Sequence, residues 1–125
     1  KNGADWVTDD GEIIPNARLV RPADPPRSYA YMTDTRYMPN LHEQLKGVTT
    51  LYHESTYGMD NLRQAEKYYH STARQAGLVA RDAGVGKLLL GHYSSRYEDE
   101  EVLLKEAKEV FDNTFLTSEM AVFDA

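Results

Sequence analysis

Four short segments concentrate the side chains able to ionise, move protons or hold a metal: Thr33-Asp34-Thr35, His53-Glu54-Ser55-Thr56, His70-Ser71-Thr72 and His92-Tyr93-Ser94-Ser95-Arg96. The sequence contains no cysteine, so any bound metal must be held by His, Asp or Glu. The carboxylate of Asp34 has two oxygens and can bridge two cations, although Asp-Thr after a strand is also common turn and N-cap chemistry. His92 reads either as a metal ligand or as a half-buried histidine at a strand end. Imidazole and carboxylate without thiolate form a familiar hydrolytic zinc set, and two such residues at equivalent strand ends favour the ligand reading.

His53 and Glu54 are adjacent, and neighbours on a regular strand point to opposite faces, so one of them should face a site and the other should pack. Glu54 is expected to be functional and His53 to pack or hydrogen-bond. His70 precedes a helix that Ser71 or Thr72 can cap, and a nearby Glu would favour its protonated form, which suits a general acid. A surface histidine next to the cap is the competing reading. Arg96 can grip a phosphate or balance Glu98 and Asp99. His42 is expected on a short polar helix, facing solvent. The tyrosines at 29, 31, 52, 57, 68, 69, 93 and 97 can include base-stacking residues, with most expected to pack. Trp6 has no identifiable partner.

The elements that must position these residues follow from the patterning. The first third is turn-rich: Asp10-Gly11, Pro15-Asn16 and Asp24-Pro25-Pro26 separate Glu12-Ile13-Ile14 and Ala17 to Val20, which suggests small strands or hairpins. Strands are predicted at Tyr29 to Met32, Val48 to Tyr52, Lys87 to Leu90 and Met120 to Phe123. Helices are predicted at about Asn40 to Lys46, Asp60 to Tyr69, Ser71 to Ala83 and Asp99 to Asp112. Ala73, Ala76, Ala80 and Ala83 share one face of the third helix, with Gly84 and Gly86 stopping it. Acidic residues crowd the first turn of the last helix, where the dipole favours them. Alternating strands and helices give an α/β class with a mostly parallel sheet, in which ligands gather at the carboxyl ends of the strands. Three strands in succession run there into polar, ionisable residues.

At 125 residues the chain is one domain or part of one, and no apolar run approaches the roughly 18 residues of a membrane span. It begins Lys-Asn-Gly with neither an initiating Met nor an apolar leader, and is expected to be a piece of a longer protein. The net charge of −6 looks unsuited to nucleic acid, but the distribution is uneven. Residues 61 to 97 hold six basic side chains against two acidic ones, whereas nine acidic and two basic follow from residue 98. A locally basic middle permits a phosphate-facing surface.

Taken in order, Tyr29-Ala30-Tyr31-Met32-Thr33-Asp34-Thr35, His53-Glu54-Ser55-Thr56, His70-Ser71-Thr72 and Gly91-His92-Tyr93-Ser94-Ser95-Arg96-Tyr97 resemble the ribonuclease Z family of the metallo-β-lactamase superfamily. The resemblance covers residues 28–125 as a βα core, with 1–27 as a turn-rich lead-in. It implies the C-terminal part of a metallo-β-lactamase αβ/βα sandwich. It further implies a zinc-dependent endoribonuclease that removes the 3′ trailer from precursor tRNA and leaves a 3′-hydroxyl, using two zinc ions. Asp34 would bridge the zinc ions and His92 would bind zinc. Glu54 and His70 would form the proton-donating pair, and Arg96 would lie near the RNA 3′ end. A cytoplasmic homodimer without membrane contact is the implied setting. Thr33, Ser55 and Tyr93 depart mildly from the family's usual Gly, Ala and Phe. The family's His-x-His-x-Asp-His motif and its flexible tRNA-binding arm are absent from this sequence, so the chain alone is expected to be inactive. Two rivals are another phosphodiesterase of the superfamily and a noncatalytic RNA-binding relative.

Overall fold

The computed structural model describes residues 23–125, together with the backbone of two short strands, β1 (Trp6–Val7) and β2 (Ile13–Ile14). These two pair antiparallel, Trp6 opposite Ile14, so the turn-rich opening does contain a small hairpin. The strand expected at Ala17 to Val20 lies outside the described residues.

The main sheet has four strands in sequential order, β3 (Tyr29–Met32), β4 (Thr50–Glu54), β5 (Lys87–Gly91) and β6 (Thr114–Leu116). Every neighbouring pair is parallel, which agrees with the expected βα alternation. Its register aligns Met32, His53, Leu90 and Leu116 across the sheet, so the strands finish at nearly one level.

Leu45, Leu51, Leu88 and Leu90 form the core with the buried sides of two helices, α2 (Ala73–Ala83) and α3 (Glu101–Lys108). The small side chains Ala73, Ala76, Ala80 and Ala83 let α2 lie close to the sheet, and Leu103 and Ala107 close the layer from α3. The helix start is fixed by a reciprocal capping box: the Thr72 hydroxyl accepts from the Gln75 amide, and the Gln75 side chain accepts from the Thr72 amide. Its end is a left-handed Gly84 (φ 65°), a conformation that costs glycine nothing. Gly86, expected as a second stop, instead donates to Val48 at the entry to β5. The opposite face of the sheet carries Tyr29, Tyr31, Tyr52 and Phe115, with Tyr31 and Tyr52 stacked at 4.6 Å.

Three expectations about elements are corrected. The segment expected as a helix at Asn40 to Lys46 is a 3-10 turn, Pro39–Leu41, followed by turns up to Gly47. The helix expected over Asp60 to Tyr69 divides into a 3-10 turn, Met59–Asn61, and α1 (Leu62–Lys67). The final strand is Thr114–Leu116 and not Met120 to Phe123, where Met120 and Val122 are almost fully exposed. The parallel edge beside β5 is reached immediately after the shorter α3.

Candidate metal and proton-transfer site

The site lies at the carboxyl ends of β3, β4 and β5. Asp34 follows β3 by two residues, Glu54 is the last residue of β4, and His92 follows β5 directly. His70 arrives from a different direction, on the segment between α1 and α2. A parallel bridge between Tyr57 and Thr72 docks this segment on the extension of β4, with the Ala73 amide donating to the Tyr57 carbonyl at 2.8 Å. The Ser71 hydroxyl donates to the Thr35 carbonyl at 2.6 Å and ties the same segment to the end of β3.

Glu54 is the hub. Its side chain is fully buried, yet its oxygens accept from the Thr35 amide at 2.5 Å, from the Thr56 hydroxyl, and from His70 Nδ1, which is 3.0 Å from both oxygens. A buried carboxylate is tolerated only when its acceptor capacity is used, and here three donors use it. His53, the neighbouring residue, points to the helix-covered face as strand alternation requires, and its Nδ1–H donates to the Glu54 carbonyl at 2.8 Å. Burial holds the His53 pKa below the usual histidine value, so it packs as a neutral ring.

The hydrogen bonds also fix the histidine tautomers. Because the carboxylate of Glu54 can only accept, His70 carries its neutral-state proton on Nδ1, leaving Nε2 free for other chemistry. Thr56 gives its proton to Glu54, so its oxygen accepts from His92 Nδ1 at 2.8 Å. His92 Nε2 is then the nitrogen facing Asp34 Oδ1, 3.4 Å away. Two lone-pair atoms meet there, an arrangement satisfied by a shared cation or by a proton on the ring. The donor set therefore fits a metal ion. Asp34, His70 and His92 each offer a ligand atom within 4.8 Å of the others, and the two imidazoles stack at 5.2 Å.

The structure thus brings Asp34, Glu54, His70 and His92 together. Arg96 stands at the margin, where its guanidinium donates to Asn61 Oδ1 at 2.7 Å and lies 5.9 Å from the Tyr57 ring centre. Asn61 is itself held through Tyr97, whose hydroxyl also meets Asp60 and the Gly58 amide. His42 is apart from the site, partly exposed beside Glu43. Gly91 is required because Tyr52 lies across it: a Cβ there would fall 2.0 Å from the tyrosine oxygen. A cavity of about 670 Å³ opens beside His92 between Tyr52, Tyr93 and the 116–119 loop.

Sequence reasoning missed Thr56, Thr35 and Asn61. A signal for Thr56 was present, since residues i and i+2 of an extended segment share a face and Thr56 stands two after Glu54. The departures at Ser55 and Tyr93 are accommodated: Ser55 Oγ donates to the Gly91 carbonyl at 3.1 Å, and the Tyr93 hydroxyl links Leu90 to Thr117.

No protein-family model matches the chain. Over 119 residues it is 55% identical to the ribonuclease Z of Bacteroides fragilis (strain YCH46), a stretch that covers 95% of this chain and 39% of that protein. The chain thus spans about two fifths of the length of the curated relatives it matches. Among solved structures, the metallo-β-lactamase fold protein YhfI from Bacillus subtilis superposes with a TM-score of 0.63 at 28% identity, over 69% of this chain and 34% of that one. The short form of human tRNase Z superposes with a TM-score of 0.53 at 22% identity, over 66% and 27% respectively, which supports the fold alone. Over the region it spans, the chain is homologous to ribonuclease Z and forms part of a metallo-β-lactamase fold.

Proposed function

We propose that the protein containing this chain is a zinc-dependent endoribonuclease that removes the 3′ trailer from precursor tRNA and leaves a 3′-hydroxyl on the tRNA. The observation that carries this reading is the convergence of Asp34, His70 and His92 within 4.8 Å, backed by the buried Glu54. The extensive identity to ribonuclease Z supplies the substrate class. Asp34 and His92 hold metal, and the remaining ligands are assigned to the part of the protein outside this chain, so the chain alone is inactive.

Two zinc ions, when bound, would supply Lewis acidity and a nucleophile at neutral pH. The work of this chain's residues is positional and proton-donating. Glu54 holds His70 through Nδ1–H, so the ring presents Nε2 and, as the imidazolium carrying a proton on each nitrogen, gives the Nε2 proton to the ribose 3′-oxygen as it departs, leaving the neutral Nδ1–H ring on Glu54. The Thr56 hydroxyl fixes the His92 ring. Arg96, pre-oriented by Asn61, offers its free guanidinium edge to an RNA phosphate. The setting that accompanies this reading is a cytoplasmic homodimer. It accords with the lack of cysteine, and no helix among the described residues is long and apolar enough to cross a membrane.

The test is cleavage by the intact protein of a precursor tRNA alongside small phosphodiesters, with analysis of the new ends. A mature tRNA ending in 3′-hydroxyl is expected. Turnover of small diesters without precursor cleavage would move the protein to another phosphodiesterase class, and binding without cleavage would make it a noncatalytic RNA-binding relative.

A further inference from the structure

Residues 67–69 lead from α1 straight into His70, and they carry two tyrosines that bury little of their rings. Tyr68 is 53% exposed and Tyr69 63% exposed. Each is paired with a cation: Lys67 Nζ lies 5.3 Å from the Tyr68 ring centre and Arg36 Cζ 5.7 Å from that of Tyr69. Tyr69 is also in left-handed backbone (φ 59°), as the residue that ends α1 while the His70 amide donates to the Ala65 carbonyl. Such an end ordinarily takes Gly or Asn. A bulky aromatic is disfavoured there, and burial of the ring does not compensate. Beside Arg36 and His70, a cavity of about 220 Å³ is lined by these two residues with Tyr37, Glu66 and Gln75. Arg36 follows Asp34 by two residues and Tyr69 precedes His70 by one, so the cation–aromatic pair joins the segments that carry two of the site residues.

Exposed aromatics interleaved with cations are the chemistry that binds single-stranded nucleic acid, with rings stacking on bases and cations meeting phosphates. We propose that Tyr69 and Arg36 form a stacking subsite for the nucleotide on the 5′ side of the cleaved bond. This inference rests on the assignment of His70 as the proton donor, because that nucleotide carries the departing 3′-oxygen and must lie against His70. The base stacks on the Tyr69 ring, and Arg36 meets the backbone phosphate. Glu66, the one carboxylate lining the cavity, disfavours phosphate there and suits the amino edge of a base.

The test is a cycle on the intact, metal-loaded protein with two precursor tRNAs, one normal and one abasic at the position immediately 5′ of the cleaved bond. Tyr69→Asn removes the ring while tolerating the left-handed backbone. It should lower kcat/KM on the normal precursor roughly ten-fold, a typical value for one lost base–aromatic stack. The abasic precursor should lose a similar factor with the unaltered protein and little more with Tyr69→Asn. Affinity for an uncleavable precursor should follow the same pattern, and Tyr69→Phe should keep the abasic penalty. Independent, multiplying losses would overturn the subsite, as would no loss in Tyr69→Asn or coupling to an abasic position on the 3′ side instead. Cleavage of the normal precursor by the unaltered protein reads the proposed function separately. Its absence would remove that function and this subsite together.

Discussion

Glu54 and Asp34 are carboxylates at the ends of neighbouring parallel strands, yet their surroundings differ in every respect that matters to chemistry. The side chain of Glu54 is 0% exposed and its oxygens are occupied by Thr35, Thr56 and His70. That of Asp34 is 69% exposed, and its one ion-pair contact among the described residues is His92 at 3.4 Å. A saturated buried carboxylate organises its neighbours and has nothing left to give a cation. An open, exposed one contributes little to the fold but keeps its valence free. The site divides its labour along this line, with Glu54 orienting and Asp34 available as a ligand.

The comparison breaks most visibly at the residue Glu54 orients. In the intact protein His70→Ala should lower turnover by roughly 10² to 10⁴ with metal content near normal, because it deletes proton donation and leaves Asp34 and His92 in place. Glu54→Gln should give a smaller defect, and the double variant should cost far less than the product, since the pair acts as one unit. A His70→Ala defect accounted for entirely by lost zinc would make His70 a ligand and end the division of labour.

Stability separates the two carboxylates directly. Glu54→Ala removes a fully buried carboxylate from one buried and two part-buried donors and should cost about 3–5 kcal/mol in denaturant unfolding, the range for removing one partner of a buried ionic group. Asp34→Asn, which tolerates the left-handed backbone at that position, should change metal-free stability by no more than about 0.5 kcal/mol, yet lower bound metal measured by elemental analysis. Equal destabilisation by the two changes would erase the distinction.

Thr56→Val tests whether Glu54 reaches His92 as well. Loss of the hydroxyl should cost about 1 kcal/mol, and nitrogen shifts of labelled histidine should show His92 losing its fixed Nδ1–H tautomer, with Thr56→Ser restoring it. An unchanged His92 spectrum would sever this link.

The smallest effect concerns His53. Its folded pKa is lowered by burial from 6.5, so the unfolded chain binds the extra proton more readily. The stabilisation is complete above about pH 6.5 and is lost as the pH falls through the lowered folded value. Melting temperatures taken from pH 7.5 down to 5 should decline, and less steeply in His53→Gln. Identical pH slopes in the two proteins would assign the decline to other groups.

The sheet and most of the site's raw material were legible because both depend on local pattern. Strand periodicity and polar strand ends located Asp34, Glu54 and His92, and alanine spacing located α2. Two kinds of information were not local. The edge position taken by Thr114–Leu116 depends on where α3 stops, which its own acidic and apolar pattern overextended to Asp112. The hub at Glu54 reaches Thr35 and His70, 19 and 16 positions away, and beyond the neighbouring Thr56 no spacing rule announces that these residues and His92 share one carboxylate's neighbourhood.

Backbone geometry adds a historical dimension. Of the four non-glycine residues with positive φ among those described, Asp34 and His92 are site residues themselves and Tyr69 adjoins His70. Each such position costs on the order of 1 kcal/mol that glycine would not incur. Under selection for folding alone, all three should drift toward glycine or asparagine, and a library sorted only for foldedness should show that drift. Aspartate, tyrosine and histidine at these positions are a burden the fold does not require.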